Sequence, residues 1–480
     1  MVIGFLIVIF LAVILIRTAA FRPVKEEEVT LPSETVDKER TVKNLQKIVQ
    51  CKTVSYYDKD LEDPEEFRKL VELLPELFPN VYEHCTLENR DNHGLLFHLK
   101  GRNHGKEGME SNVLMAHFDV VPVDEDRWEE DPFAGVIKDG VLWGRGTIDT
   151  KVTFNGILSA ADELLAEGFV PEDDLYFAFA GSEEVNGPYA TYIVDYFKEN
   201  NIKLGMILDE GGAVVDGIFP GVKEKAALVG IAEKGLLDVT YRTDMKSGHA
   251  SAPGPHTPVG VLAAAACKVE DHPFKMHVTE PVEKMFNTLG RRSTFLYRMI
   301  FANWWCFGWI INRMTKKQGG ELNALLRTTV AFTQMGGSKA PNVIPSTPYM
   351  RSNIRINPDE TIDSVIKGLK DRIGDDRVIV EEYGEHSMNP SPVSRTDCKE
   401  WNYVKNAIRS TWGDVIVSPY LMVQCSDSRH YRDVSDRVYR FSAQALTAEE
   451  RKMIHSDNER ITLEQIEKSA VFFKSIMRQC

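Results

Sequence analysis

Apolar residues open the chain in one unbroken run, residues 2–16, and thereafter recur in short bursts between polar turns. Residues 112–116 form a short apolar burst of the kind found in a strand buried on both faces. Over residues 153–167, Phe154, Ile157, Leu158, Ala161, Leu164 and Leu165 recur at helical spacing, and Gly168 stands where a helix C-cap belongs. Residues 175–180 read as a strand, 190–198 as a helix and 206–208 as a further strand. The alternation predicts an α/β fold whose mostly parallel central sheet carries helices on both faces.

From residue 232 the texture changes. Residues 236–241 predict a strand, 258–269 an Ala-rich helix, 328–333 and 350–356 two strands, and 361–373 a helix. Elements in that mixed order predict a smaller α+β domain, residues 232–385, inserted into a larger one built from 40–231 and 386–480. Within the insert, Phe301, Trp304, Trp305, Phe307 and Trp309 crowd residues 297–311. That stretch is too short to cross a bilayer and predicts one buried or interfacial helix, serving as core or as a wall for an apolar substrate or membrane surface.

The 480 residues suit two domains, and a formal net charge of -14 excludes a nucleic-acid partner, which needs a basic footprint. Seven cysteines, at positions 51, 85, 267, 306, 398, 425 and 480, lie too far apart for a CxxC motif and predict no disulfide framework. Residues 1–21 read as a membrane anchor or a signal peptide, with the retained anchor preferred because no basic residue precedes the apolar run. Residues 22–39, charged and aperiodic, read as a tether. Arg17, Arg22 and Lys25 follow the run, which alone orients the chain to the cytosol, against the secretory-pathway location expected here, whether anchored or secreted after cleavage.

The chemistry stands at the ends of the apolar bursts. His117 and Asp119 follow one; Asp149 closes the turn Gly144-Arg145-Gly146-Thr147-Ile148; Glu183 and Glu184 follow another; Asp209 follows a third; and His455 lies near the end. Open α/β sheets gather their chemistry outside the carboxyl ends of the strands, so these positions can converge. Imidazole and carboxylate are ligands that suit zinc. Two residues apart on a strand, Asp119 can accept a hydrogen bond from the His117 ring, and the two oxygens of Asp149 can bridge two cations. In an extended segment the side chains of Glu183 and Glu184 diverge, one towards metal and one towards water. Each feature alone has a plainer reading, as a satisfied histidine, a helix N-cap or a solvated acid pair; the ordered set reads as a two-metal hydrolase.

The set Met115-Ala116-His117-Phe118-Asp119, residues 144–151, Ser182-Glu183-Glu184, Asp209-Glu210-Gly211-Gly212, Ser247-Gly248-His249 and His455 resembles the dizinc metallopeptidase family of aminoacylase, carboxypeptidase G and carboxypeptidase S. The run 117–133, Pro341-Asn342-Val343-Ile344-Pro345 and Asp427-Ser428-Arg429 resemble its N-fatty-acyl-amino-acid synthase/hydrolase branch most. The resemblance implies two zinc ions per subunit, with Asp149 bridging and His117, Glu184, Asp209 and His455 as the other ligands. It implies Glu183 as general base and Asp119 as the residue that orients His117. His249, Asn342 and Arg355 would bind substrate, His249 from the opposite subunit, so a homodimer is expected, and the insert would serve as lid and dimerisation domain. A cis peptide is implied at Asp149–Thr150. Thr150 and Ser456 depart from the family pattern, the latter standing where glycine is usual and a positive φ would be strained.

The expected activity is zinc-dependent hydrolysis of the amide in N-acyl amino acids, with long-chain acyl groups preferred, and the reverse synthesis. A carboxypeptidase acting on small peptides, or a short-chain aminoacylase, is the alternative within the class. An inactive ligand-binding ectodomain is the alternative outside it.

Overall fold

Strand Ser111–His117 is buried along its whole length, Leu114 and Ala116 entering one hydrophobic cluster and Val113 and Met115 another. Leu175–Ala180 divides likewise, Phe177 and Phe179 to one side and Tyr176 and Ala178 to the other. Apolar runs without polar alternation are what a sheet covered on both faces requires. In the computed structural model, which describes residues 1–24, 32–217, 219–384 and 386–480, these strands are central to an eight-stranded sheet. Its order is Thr86–Arg90, Gly94–Leu99, Leu175–Ala180, Ser111–His117, Leu204–Val215, Val438–Leu446, Ala226–Glu233 and Ile416–Met422. The four strands from Leu175–Ala180 to Val438–Leu446 pair in parallel, as do the last two, while the two edge strands 86–90 and 94–99 are antiparallel.

Helices Lys151–Ala166, Lys399–Trp412 and Leu463–Met477 cover one face through Phe154, Ile157, Val404 and Phe472. Tyr189–Glu199 covers part of the other through Ile193 and Phe197. The fold is therefore the α/β architecture that the apolar pattern predicts. Gly168, at φ +77°, ends the helix Lys151–Ala166 where expected.

A second sheet of four antiparallel strands runs Thr329–Gly336, Tyr349–Ile356, Gly235–Thr243, Val378–Glu382. Helices Pro258–Asp271 and Ile362–Ile373 pack on it around Leu237, Val239, Leu262 and Leu369, and Thr361 opens the second with a capping box. The middle of the expected insert 232–385 behaves differently. Helix Glu280–Arg292 puts Val282, Met285, Phe286 and Leu289 into the cluster of Phe219, Leu228, Ile416 and Tyr420, so it covers the large sheet. The single aromatic helix expected over 297–311 is two helices, Phe295–Ala302 and Trp304–Gln318. They break at Asn303, whose side-chain amide donates to the Met299 and Ile14 carbonyls and the Thr18 hydroxyl.

Ile14 and Thr18 belong to the N-terminal helix Val2–Ala20, a mostly apolar stretch of 19 residues otherwise almost wholly exposed. At ~1.5 Å per residue it extends about 28 Å, close to the thickness of a bilayer's hydrocarbon core. Phe10 meets Trp305 edge-on, 5.9 Å between centroids, while Trp305 and Trp309 stay largely exposed. Residues 25–31 of the expected tether, Lys25 among them, lie outside the described residues. All seven cysteines are free thiols.

Candidate metal centre

His117 is the last residue of its strand, Glu183 and Glu184 follow Leu175–Ala180, and Glu210 stands within Leu204–Val215. These strands are parallel neighbours, so their carboxyl ends bring the side chains to one place. Asp149 arrives on the turn 144–150, where Gly146 adopts φ +87° and a Cβ would stand 2.7 Å from Val120 Cγ1. Glu459 fixes that turn: its carboxylate accepts from the Gly146, Ile148 and Asp149 amides and pairs with Arg145 at 2.7 Å. Arg145 also donates to the Ser456 carbonyl, which ties His455 to the turn that carries Asp149. The Asp149–Thr150 peptide is cis, as the resemblance implies.

Asp149 lies between two imidazoles. His117 Nε2 is 3.1 Å from Asp149 Oδ1 and 3.3 Å from Glu210 Oε1. His455 Nε2 is 3.1 Å from Asp149 Oδ2 and 3.0 Å from Glu184 Oε2. Two groups of nitrogen and oxygen donors thus share one carboxylate. Glu183 joins His117 and Glu210, with one ligand atom from each within 4.8 Å of the others. His117, Asp149, Glu184 and His455 therefore converge as the sequence predicts.

Asp209 does not reach this group. Its buried carboxylate accepts from the Ser428 and Glu210 amides, and the acid beside His117 is the next residue, Glu210. The cause is a bulge. Opposite strand Val438–Leu446, Asp209 pairs with Arg440 but the next pair is Gly212 with Phe441, leaving two residues unpaired and re-aiming the side chain. Glu183 and Glu184 open a 3-10 turn, Glu183–Val185, rather than an extended segment. Both their amides donate to the Asp119 carboxylate, at 3.1 and 3.2 Å. Asp119 also accepts from Ser55 Oγ, while the nearer partner of His117 Nδ1 is the Asp119 carbonyl at 3.0 Å, with the carboxylate at 3.4 Å. A positive φ is found at His455, at +58°, and not at Ser456, so the serine carries no such strain.

The expected substrate residues are divided. Arg355 is half-buried and donates to Cys425 Sγ at 3.1 Å, beside the turn Asp427–Tyr431. That turn carries Arg429, which is buried, hydrogen-bonds Asn186 Oδ1 at 2.7 Å and lies 3.7 Å from Glu183 Oε1. Asn342 and His249 lie on the short ribbon that pairs Gly248–His249 with Val343–Ile344, where the Ala250 amide donates to the Asn342 carbonyl. His249 is exposed, and its ring contacts Ser251 rather than the acids of the centre. Sequence reasoning missed three residues here: Glu210, Glu459 and Arg429. Glu459 had a local signal, an acid four residues after the histidine; the bulge behind Glu210 and the partner of Arg429 arise only from tertiary pairing.

The electrostatics express a buried excess of acid. Burial pushes Glu210 up to about 8, helped by Asp149 and Asp209, against the opposing pull of His117. Burial and the neighbouring Asp427 and Glu210 raise Glu183 well above the usual carboxylate range, although His117 and Arg429 oppose them. Asp149 is the exception. Burial works against its charge, but hydrogen bonds from both imidazoles keep its carboxyl low. Hydrogen bonds to Asp149 and Glu184 push His455 up to about 10. A cluster that must hold protons to balance its carboxylates is one that divalent cations can neutralise, displacing those protons. The donor set, imidazole and carboxylate around a shared acid, fits a pair of zinc-type ions.

The peptidase family M20/M25/M40 model matches residues 113–479. The chain is 32% identical, over 98% of its length and 93% of the relative's, to the N-fatty-acyl-amino acid synthase/hydrolase PM20D1 of Xenopus tropicalis. It is 31% identical, over 98% of its length and 92% of the relative's, to a Dictyostelium discoideum protein named probable carboxypeptidase S-like 2. Among solved structures, it superposes on the M20 family metallo-carboxypeptidase Sso-CP2 of Sulfolobus solfataricus with a TM-score of 0.65 at 16% identity, covering 91% of this chain and 98% of that one. Human carnosine dipeptidase 1 gives 0.63 at 15%, covering 92% and 96%. The donor groups around Asp149 stand in a fold shared with these peptidases, and the chain belongs to the peptidase family M20/M25/M40 as a metallohydrolase acting on amide bonds.

Proposed function

We propose that the chain is a dizinc amidohydrolase that cleaves N-acyl amino acids, long-chain ones foremost, and condenses fatty acid with amino acid when both are abundant. The observation that carries this reading is the shared carboxylate: each oxygen of Asp149 faces one imidazole, and each imidazole faces a further acid. His117, Asp149 and Glu210 would hold one ion and Asp149, Glu184 and His455 the other, and the pair, when bound, supplies Lewis acidity and a water that ionises near neutral pH. Glu183 takes the proton of the attacking water and returns it to the departing amine nitrogen. Asp119, by anchoring the Glu183 and Glu184 amides, keeps base and ligand in register. Arg355 pairs with the substrate's carboxylate, a geometry that suits a guanidinium fork. Asn342 and His249 steady the scissile carbonyl, His249 from the opposite subunit of a homodimer, a role its exposure suits.

The helix Val2–Ala20 anchors the enzyme to a membrane of the secretory pathway, and the exposed Phe295, Leu296, Trp305 and Trp309 extend the apolar surface near it. A membrane-bound enzyme beside such a surface meets acyl chains where they reside. The name of the Dictyostelium relative supports a second reading, a carboxypeptidase on small peptides. Turnover of zinc-loaded protein on an N-oleoyl amino acid, an N-acetyl amino acid and a dipeptide separates them. The proposal expects the oleoyl substrate to be cleaved most efficiently; dipeptide preference would favour the second reading. Protein that binds no zinc would support an inactive ectodomain.

A further inference from the structure

A second convergence of metal-type donors lies at the far end of the large sheet. Asp174 immediately precedes strand Leu175–Ala180, whereas Glu183 follows it, so the length of that strand, ~20 Å at ~3.3 Å per residue, separates the two places. His98 Nε2 and His104 Nδ1 both stand 2.7 Å from the same oxygen, Asp174 Oδ2. One ligand atom from each of the three residues lies within 4.8 Å of the others.

The surroundings hold these groups in position before any ion arrives. Asp174 is 1% exposed, and its other oxygen accepts from the Gly101 amide at 2.9 Å, which leaves Oδ2 turned to the imidazoles. His98 is stacked on Tyr176 at 4.3 Å, with the rings 6° from parallel. The turn that delivers His104 is pinned by backbone bonds from Arg102 to the Pro171 carbonyl and from Asn103 to the Glu172 carbonyl. At Gly101 a Cβ would fall 2.5 Å from the Asp173 carbonyl carbon, so only glycine permits that approach.

We propose that His98, His104 and Asp174 form a further, mononuclear site for zinc or a similar borderline divalent ion, which fastens the 100–104 turn to the edge of the sheet. Two imidazoles and one carboxylate are a common zinc donor set, and the half-open position of His104 leaves room for water as fourth ligand. The competing arrangement is a pair of neutral rings each donating N–H to Asp174, with no ion.

The test compares zinc content of the full-length protein and a His104→Ala variant, each equilibrated with excess zinc and then freed of loosely held metal. The site predicts one equivalent fewer in the variant, with amide hydrolysis unchanged; equal zinc content in the two would overturn it. Cobalt titration in an Asp149→Ala background, where the shared ligand of the catalytic centre is removed, gives a second measurement. It should show visible absorption from one tetrahedral-type site that His104→Ala abolishes. Retention of that absorption in the double variant, or its absence in Asp149→Ala protein that remains folded by circular dichroism, would count against the site.

Discussion

Side chains here do unlike work although many are of one type. Glu183 and Glu184 share a turn and an anchor in Asp119, yet one faces Arg429 and the other His455. Glu183→Gln keeps the shape and removes the proposed base, so turnover should fall about 10²–10⁴-fold while zinc content stays at the wild-type level; near-normal turnover in metal-loaded variant would refute the role. Glu459 never meets the donors, but it holds the turn bearing Asp149 through the Gly146, Ile148 and Asp149 amides. Glu459→Gln sets an amide group against those donors, and zinc affinity should drop about 10–100-fold, measured by competition with a chelator. At this scale the convergence is legible in the sequence where a residue closes or closely follows a strand, as with His117 and Glu184. Asp209 stays outside the group although the first acid after an apolar run is the natural choice, and nothing local announces the bulge that turns Glu210 towards His117. Glu459 and Arg429 matter through partners hundreds of residues away, which periodicity cannot reveal.

Among the elements, the bulge in Leu204–Val215 decides which acid faces His117. It depends on close backbone approach: a Cβ on Gly212 would lie 1.8 Å from the Leu228 carbonyl oxygen. Gly212→Ala must therefore displace the strand. A stability loss of about 3 kcal/mol, the upper range for overpacking, is expected, together with weakened metal retention, both readable by thermal unfolding with and without zinc. An unchanged melting temperature would show that the strand has room. Strand and helix identities in the large sheet followed from apolar runs and 3.6-residue spacing, because buried parallel strands announce themselves. The aromatic stretch was harder. Its break at Asn303 follows from hydrogen bonds to Ile14 and Thr18 in a helix almost three hundred residues earlier, and the packing of Glu280–Arg292 on the large sheet follows from Ile416 and Tyr420, far along the chain.

The whole molecule carries buried cations as well as buried acids. Lys234 leaves strand Ala226–Glu233 at the passage to the second sheet, donating to the Ala324 and Arg327 carbonyls at 2.8 Å each. Burial, with Arg355 nearby, pushes its ammonium down to about 7. In the unfolded chain the group titrates near ~10.4. The folded value is the lower one, so the unfolded chain binds more protons between about 7 and ~10.4, and this residue's contribution to stability rises with pH across that window. In Lys234→Met that contribution to the slope disappears. The difference in melting temperature between wild type and variant should widen in favour of wild type from pH 7 to pH 9; a constant difference would contradict the depressed value.

The same excess of buried acid that makes protons necessary around Asp149 is what two divalent ions would relieve, and that pairing is the centre of the account. Crystals of zinc-loaded protein, measured on both sides of the zinc absorption edge, test it directly. Two anomalous peaks are predicted on either side of Asp149, one against His117 and Glu210 and the other against Glu184 and His455. A single peak there, or a peak bound by Asp209 with Glu210 turned away, would contradict it.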